Sequence, residues 1–409
     1  MTGRLLLTFN AGSSTVKIGI FQLSGAGPQR IGKAVVDFSD RPLMLHLKEG
    51  PTRFELPLKG DAGDNLSDLM GEVLRELGAH FDLDSVIAAG HRIVHGGDLF
   101  TGPAELTSQT LEQIRSLNEL APLHQPQALR LIRAVKHLHP KLFQTSSFDT
   151  TFHSTQDDLV RRFAIPRAWH ERGIKRYGFH GLSYQYVTRE LATKAPDIAK
   201  GKVIIAHLGS GASLCAIDDG QSLDTSMGFS TLDGIPMATR PGALDPGVLM
   251  HFLGPLGRSL KEVEDMLYHH CGLLGVSGLS GDTRELMEDG GEHARQAVDL
   301  FTLRIAGEIG RLATTLGGVD GLIFTAGVGE NQPKIRAQIA DRLLWLGVEL
   351  DGRANERSAS KISTPASRIA VHVIPTDEEQ MIAEEAMSLL DAEDDRNHRT
   401  ATQGASHGA

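Results

Sequence analysis

Cysteine is scarce in this 409-residue sequence: the two present, Cys215 and Cys271, lie far apart and in no paired pattern. That scarcity excludes a disulfide scaffold and a zinc ribbon, and it points to a reducing, cytoplasmic setting. Long apolar runs are missing as well. None approaches the length that spans a bilayer, and the first residues enter a strand pattern without the basic, apolar and cleavage regions of a secretory leader. Positive charge is in deficit, 41 Lys and Arg against 51 Asp and Glu, for a net of −10. Such a balance does not suit a nucleic-acid backbone, so an anionic ligand has to be met by locally gathered donors.

Several signatures are absent too. No Gly-x4-Gly-Lys-Ser/Thr loop occurs, which argues against P-loop architecture, and no G-x-G-x-x-G dinucleotide fingerprint. His91, His95, His124, His153, His180 and His207 come with no His-Glu-x-x-His helix and no cysteine pair, so zinc is disfavoured. No Gly-x-Ser-x-Gly elbow announces a serine hydrolase.

What is present reads as an α/β protein. Hydrophobic content of 40% with 22% charge is that of a globular chain, and the length suggests two domains. "LLLTFNAGSSTVKIGIF", Leu5 to Phe21, places two strand-forming runs around a turn rich in small donors. A third strand is expected at Ala34–Phe38, helices at Leu66–Leu77, Ser108–Asn118 and after "APLHQP", and strands ending in "GHRIVHGG" and at Asp149. Alternating strands and helices predict a parallel or mixed sheet, which places ligands at strand ends.

An internal echo follows. "VIIAHLGSGASLCAID", Val203 to Asp218, has the layout of the opening hairpin, and aligning Gly12 with Gly211 sets Ala11-Gly12-Ser13-Ser14 against Ser210-Gly211-Ala212-Ser213. Two such hairpins suggest a duplicated domain with a cleft between the copies, although so short a match leaves chance similarity open. Consecutive N–H groups in such turns form a concave nest for oxyanions, with Asn10, Ser13 and Thr15 adding donors and Lys17 a point charge. "GLIFTAGVGEN" ends a strand in two glycines, which admits a flat ring close to the backbone or is simply a turn. Arg92, Arg240 and Arg284, with Asp149, His180 and Asp282, fall in loop positions. Each arginine alone reads as a solvated side chain, but together with two donor nests they point to phosphoryl transfer.

At these residues the chain resembles the acetate kinase family, including its propionate and butyrate kinases. "FNAGSSTVKIGIF", "GHRIVHGG", "APLHQP", "FDTTFH", "YGFHGLSYQYV", "AHLGSGAS", "DTSMGFSTLDGIPMATRPGALDP", "SGLSGDTREL", "FTAGVGEN" and "IPTDEEQMIA" carry the resemblance in the family's order. It implies duplicated actin-like, ribonuclease H-like βββαβαβα domains: residues 1–150 with about 379–390, and residues 151–378. The polar tail at 391–409 reads as disordered. It further implies ATP and magnesium, with manganese as a substitute, a short carboxylic acid as acceptor, and a homodimer.

Under the resemblance Asn10 and Glu378 fall on the metal positions. Arg92, His124, Asp149, His180 and Arg240 fall on catalytic ones. Ser13, Thr15, Lys17, the run His207, Leu208, Gly209, Ser210, Gly211, the run Asp282, Thr283, Arg284 and the run Gly327, Val328, Gly329, Glu330, Asn331 cover the nucleotide. Arg92 would take the acid's carboxylate, and Val94, Leu123, Phe179 and Thr231 its alkyl end.

The chain departs from the family pattern at Ser210 (usually Asn), Tyr184 (His), Pro241 (Ser) and Thr231 (Pro), which leaves the preferred acid open. A carboxylate is already ionised at neutral pH and needs no general base, so Asp149 is expected to position magnesium or an arginine. Two other functions remain: a kinase of the same fold group acting on a sugar hydroxyl, with Asp149 as base, and a non-catalytic ATP-dependent clamp.

Overall fold

The computed structural model describes residues 3–12, 15–38, 40–59 and 66–406. The chain divides into two units, Met1–Thr151 with Asp377–Ala409, and Phe152–Thr376.

The first unit carries one sheet of β1 (Leu5–Ala11), β2 (Thr15–Ser24), β3 (Gly27–Asp37), β4 (Met44–Glu49), β5 (Thr52–Pro57), β6 (Val86–Ile93), β7 (Ala104–Glu105) and β8 (Phe143–Phe148), in the order β5-β4-β3-β2-β1-β6-β8-β7. β1 runs antiparallel to β2 and parallel to β6, which is parallel to β8. Side chains alternate across β1. Leu5, Leu7 and Phe9 pack with Leu69, Met70 and Val73 of helix Leu66–Gly78, while Leu6 faces Ala383 and Ala386 of helix Glu378–Ser406. Both faces are covered, which is why β1 is buried along its whole length and mostly apolar, with Thr8 and Asn10 as its polar residues.

The second unit carries β9 (Lys202–Leu208), β10 (Ala212–Asp218), β11 (Gln221–Thr225), β12 (Gly321–Thr325) and β13 (Ala370–Val373), in the order β11-β10-β9-β12-β13. β9 is antiparallel to β10 and parallel to β12, and β12 is parallel to β13. Helix Gly181–Lys194 covers one face through Tyr184, Val187 and Leu191, and helix Glu292–Leu316 packs on β9, β10 and β11.

Strand for strand, β11-β10-β9-β12-β13 repeats β3-β2-β1-β6-β8 in order and direction. The echo in the sequence therefore reflects a shared topology, but its register differs from the ungapped alignment. Four residues separate the paired Ala11 and Val16, and three separate Leu208 and Ala212. In each hairpin the first tip glycine donates its N–H to the carbonyl of the last tip residue, Gly12 to Thr15 at 2.8 Å and Gly209 to Gly211 at 3.2 Å. Gly12 thus corresponds to Gly209, not Gly211.

Two other expectations are revised. The third strand begins at Gly27, well before Ala34, and β4 and β5, to which the sequence reading gave no element, extend the sheet edge with Leu45 and Leu47 turned inward. The polar stretch after Asp391, read as disordered from composition, continues the helix to Ser406. Met381, Ile382, Ala386 and Leu390 anchor that helix on the sheet; propagation from a formed helix costs little, and Arg4 meets Asp394 at 3.1 Å.

Candidate functional site

In the first unit the ends of β1, β6 and β8 bring Asn10, Arg92 and Asp149 together. Arg92 donates from Nε to Asp149 Oδ1 at 2.9 Å and from Nη2 to Oδ2 at 2.6 Å. Its Nη1 reaches Asn10 Oδ1 at 3.3 Å and the Ala11 carbonyl at 3.2 Å. Four of the five guanidinium N–H groups are thereby engaged, and among the described residues one on Nη2 has no partner. Burial works against the Arg92 charge, but Asp149, with Glu378 and Glu379 beyond it, overrides burial and holds the guanidinium above its ordinary pKa.

The Asn10 amide donates to Glu378 Oε2 at 2.8 Å and to Glu379 Oε1 at 3.0 Å. Glu379, which the sequence reading did not single out, is buried and lies 3.6 Å from Lys33 Nζ. Lys17 sits opposite Asn10 across β1 and β2, and Thr15 begins β2; Ser13 lies outside the described residues. His124 precedes helix Gln125–Leu138, next to the exposed Leu123, and Val94 is buried just beyond β6.

The donors here are all oxygen: a carboxylate of Glu378 and the carbonyl of Asn10. That set fits a hard divalent cation that keeps most of its waters, and it does not fit a soft one. Among the described residues, no group of three His, Cys, Asp or Glu side chains is placed to hold a metal ion by itself.

In the second unit the hairpin between β9 and β10 gathers His180, His207 and Arg240. His180 takes a left-handed backbone, φ 59° and ψ 24°, as it caps helix Gly181–Lys194. Left-handed geometry is costly for a non-glycine residue and turns the ring toward the hairpin. The His180 ring stacks on His207 with centroids 4.2 Å apart and planes 13° from parallel. Nδ1 of His180 is 2.8 Å from Ser213 Oγ, and Nδ1 of His207 is 2.8 Å from Ser183 Oγ.

A Cβ placed on Gly211 would stand 2.9 Å from Arg240 Nη2 and 3.3 Å from His180 Nε2, so only glycine lets both side chains lie over the tip. Arg240 is steadied by the Thr231 carbonyl, 2.9 Å from Nη1, and Phe179 is buried one residue before His180. Val94 and Leu123 thus belong to one unit and Phe179 and Thr231 to the other.

The other segments expected from the sequence to meet a nucleotide also lie in the second unit. β12 ends in a short helix, Ala326–Asn331, entered through Ala326 at φ 64°. Glu330 is turned back on its own chain: Oε1 accepts from the N–H of Ala326 at 2.8 Å and of Thr376 at 3.1 Å. Asn331 donates to the Gly327 carbonyl, while the exposed Arg284 folds onto Asp282 with Nη2 and Oδ2 2.6 Å apart. Asp282 caps helix Thr283–Asp289, and Thr283 is buried.

Beneath the Ala326–Asn331 helix lies Arg336, fully buried, donating to the carbonyls of Gly329, Glu330 and Asn355, to Asn355 Oδ1 and to Ser358 Oγ. Burial pulls its pKa down to about 10. Arg336 does not stand out in the sequence, and Ser213 does so only as part of the second Gly/Ser hairpin, because their work is to orient other groups; a lone arginine in "NQPKIRAQIA" reads as a surface residue.

The sequence model of the acetokinase family matches residues 5–384. The chain is 45% identical over 390 residues to an acetate kinase of Nitrobacter hamburgensis, covering 94% of this chain and 96% of that protein. It is 42% identical over 397 residues to one of Rhodopseudomonas palustris, covering 95% and 98%. Among solved structures, a propionate kinase of Francisella tularensis superposes with a TM-score of 0.88 at 34% identity, over 94% of this chain and 99% of that one. An acetate kinase of Porphyromonas gingivalis gives 0.85, also at 34% identity and over the same shares. With the family's sequence pattern running almost end to end and its fold matched at this level, the chain belongs to the acetokinase family.

Proposed function

We propose that the chain transfers the γ-phosphoryl group of ATP to a short-chain carboxylate, acetate or propionate, to give acyl phosphate and ADP, reversibly and by direct in-line displacement. A carboxylate oxygen forms the new bond to phosphorus as the bond to the β-phosphate oxygen breaks, and that electron pair leaves on ADP. The relatives named above as acetate and propionate kinases support this assignment. The observation that carries the positioning role is that both oxygens of Asp149 accept from Arg92, at 2.9 and 2.6 Å, which favours a carboxylate acceptor over a hydroxyl one. A sugar hydroxyl must give up a proton, and Asp149 was the candidate to take it. An acid with a pKa of about 4.3, that of Glu, has already lost its own.

The difficulty is then the repulsion between two anions, and the residues answer it with fixed positive charge from the arginines and Lys17 and with oriented neutral donors. Arg92 offers its remaining Nη2 N–H to the acid's carboxylate, aligned by Asp149. His180 and Arg240 take the equatorial phosphoryl oxygens, and Lys17 and Thr15 add donors. The segments His207–Gly211, 282–284 and 327–331 hold the nucleotide. Magnesium, or manganese in its place, would be held by Glu378 and Asn10, and when bound it neutralises charge on the phosphates.

We place the protein in the cytoplasm as a homodimer. Helix Pro246–Leu253 buries none of its residues and exposes Val248, Met250 and Leu253, with Leu256 and Leu260 just beyond, an apolar surface suited to a second copy. No helix among the described residues is long and apolar enough to cross a membrane.

An ATP-dependent hydroxamate assay across formate, acetate, propionate and butyrate tests the assignment. Acyl phosphate is expected from acetate or propionate. Turnover on sugars alone, or nucleotide binding without acid-dependent turnover, would overturn it in favour of a hydroxyl kinase or a clamp.

A further inference from the structure

Tyr184 is fully buried on helix Gly181–Lys194, the helix that His180 caps. Its hydroxyl has one hydrogen-bond partner among the described residues, Ser213 Oγ. Ser213 Oγ has one other, His180 Nδ1 at 2.8 Å. Counting protons fixes the direction of this chain. A phenol sealed from water has to place its hydrogen on an acceptor, and among the described residues the only one offered is Ser213. Ser213 carries a single hydrogen; having accepted from Tyr184, it gives its own to Nδ1. That nitrogen is then an acceptor, and the neutral imidazole carries its proton on Nε2, the atom nearest the Gly211 tip and Arg240.

We propose that Tyr184 is a positioning residue which, through Ser213, sets the His180 tautomer so that Nε2–H is the permanent donor at the hairpin tip. The Tyr184 hydroxyl acts on the tip through Ser213. The opposite arrangement, with Nδ1–H donating to Ser213 and Ser213 to Tyr184, leaves the phenolic hydrogen with nothing to bond in a dry interior. Burial also keeps the phenol protonated, since it raises the Tyr184 pKa well above its ordinary value. The ring is held in place by its neighbours: Tyr184 meets His153 edge to face at 5.7 Å and Phe152 at 6.3 Å. The catalytic consequence rests on the acyl-kinase assignment above; the tautomer does not.

The test uses full-length protein labelled with 15N-histidine, with the His180 ring signals identified by their loss in His180→Gln. In the unsubstituted protein Nε2 should give the protonated signature and Nδ1 the unprotonated one. Tyr184→Phe keeps the ring and its packing but removes the proton that orders Ser213, so Nδ1–H should become populated. Ser213→Ala should remove the preference as well, and the double variant should resemble Ser213→Ala alone. Outer partners that orient metal-bound histidines are worth about 10- to 100-fold, and the same scale is taken for a histidine oriented to donate to phosphate. Tyr184→Phe should therefore lower kcat by about that factor while KM for ATP and for the acid stays within about twofold. A His180 that keeps Nε2–H in Tyr184→Phe overturns the relay, and so does a shifted tautomer with unchanged kcat. Protein that forms no acyl phosphate at all defeats the activity assignment instead, and the ring signals still decide the tautomer.

Discussion

Replacing Asp149 by asparagine separates a positioning role from a proton-carrying one. In the native arrangement two charge-assisted hydrogen bonds, 2.9 and 2.6 Å, join Asp149 to Nε and Nη2 of Arg92. Asparagine keeps one acceptor oxygen and turns its NH2 against the other N–H, donor against donor. A hydrogen bond to a charged group contributes about 1.5–3 kcal/mol, and removing one partner of a buried ion pair costs about 3–5 kcal/mol. The Arg92 side chain is 14% exposed and keeps Asn10, Ala11, Glu378 and Glu379 around it, which favours the lower end. A misalignment of about 2–3 kcal/mol, expressed in the transition state, lowers kcat by about 30- to 150-fold. Acetate-dependent turnover at saturating ATP should show that loss, with KM for ATP within about twofold and the shape of the pH–rate profile retained. Near-normal turnover would refute the alignment of Arg92 by Asp149. Disappearance of the acid-side limb of kcat/KM would instead make Asp149 a proton carrier.

Other perturbations test the supporting structure. Burial holds His91, His95 and His153 at about 4, below their ordinary 6.5, so the unfolded chain binds these protons first. Their stabilisation is complete above the unfolded value and is lost as pH falls towards 4; urea melts should weaken steeply between neutrality and about pH 5, and His153→Gln should flatten that slope. Arg336→Lys leaves several of the five acceptors of Arg336 without a donor and should destabilise the fold by roughly 3 kcal/mol while raising KM for ATP, read from denaturant melts and initial rates. In Gly211→Ala the new methyl, 2.9 Å from Arg240 Nη2 and 3.3 Å from His180 Nε2, pushes aside flexible side-chain ends and not backbone. Turnover should fall by about tenfold with under 1 kcal/mol lost in stability; an unchanged rate would mean that these two side chains do not act from over the tip.

Much of this was legible in the sequence, because strong local patterns carry it. Apolar runs broken by Gly and Ser located both central hairpins, and polar residues at strand ends marked Arg92 and Asp149. Hidden from it were roles that arise from packing between distant segments. Ser213 sits in the apolar run of β10 and becomes significant only because helix Gly181–Lys194 lays Tyr184 and His180 on either side of it. Glu330 lies inside a nucleotide-type motif, yet its carboxylate closes the turn into its own helix. The register of the second hairpin was misjudged for a simpler reason: its tip is one residue shorter, which no ungapped alignment can express. The tail was misjudged because composition reports burial and not helix propagation.

The shared topology sets the same three strand ends in each unit to different uses, and the contrast yields a sharp test at Gly327. In the first unit the ends of β1, β6 and β8 present charged or amide side chains, Asn10, Arg92 and Asp149, as point contacts for small ions require. In the second, the end of β12 presents bare backbone: Ala326 is forced to φ 64° and Gly327 follows. Nothing in the protein demands glycine at 327, since a Cβ there meets no other atom within 4 Å outside its own turn and its φ is not left-handed. Alanine in a helical turn would by itself stabilise by about 0.4–1 kcal/mol. If the surface is bare because a nucleotide lies against it, Gly327→Ala should raise the melting temperature slightly and increase KM for ATP several-fold, with KM for the acid unchanged. A variant that gains stability while both KM values stay as they were would mean that the nucleotide lies elsewhere, and the glycine would then be a relic of the turn.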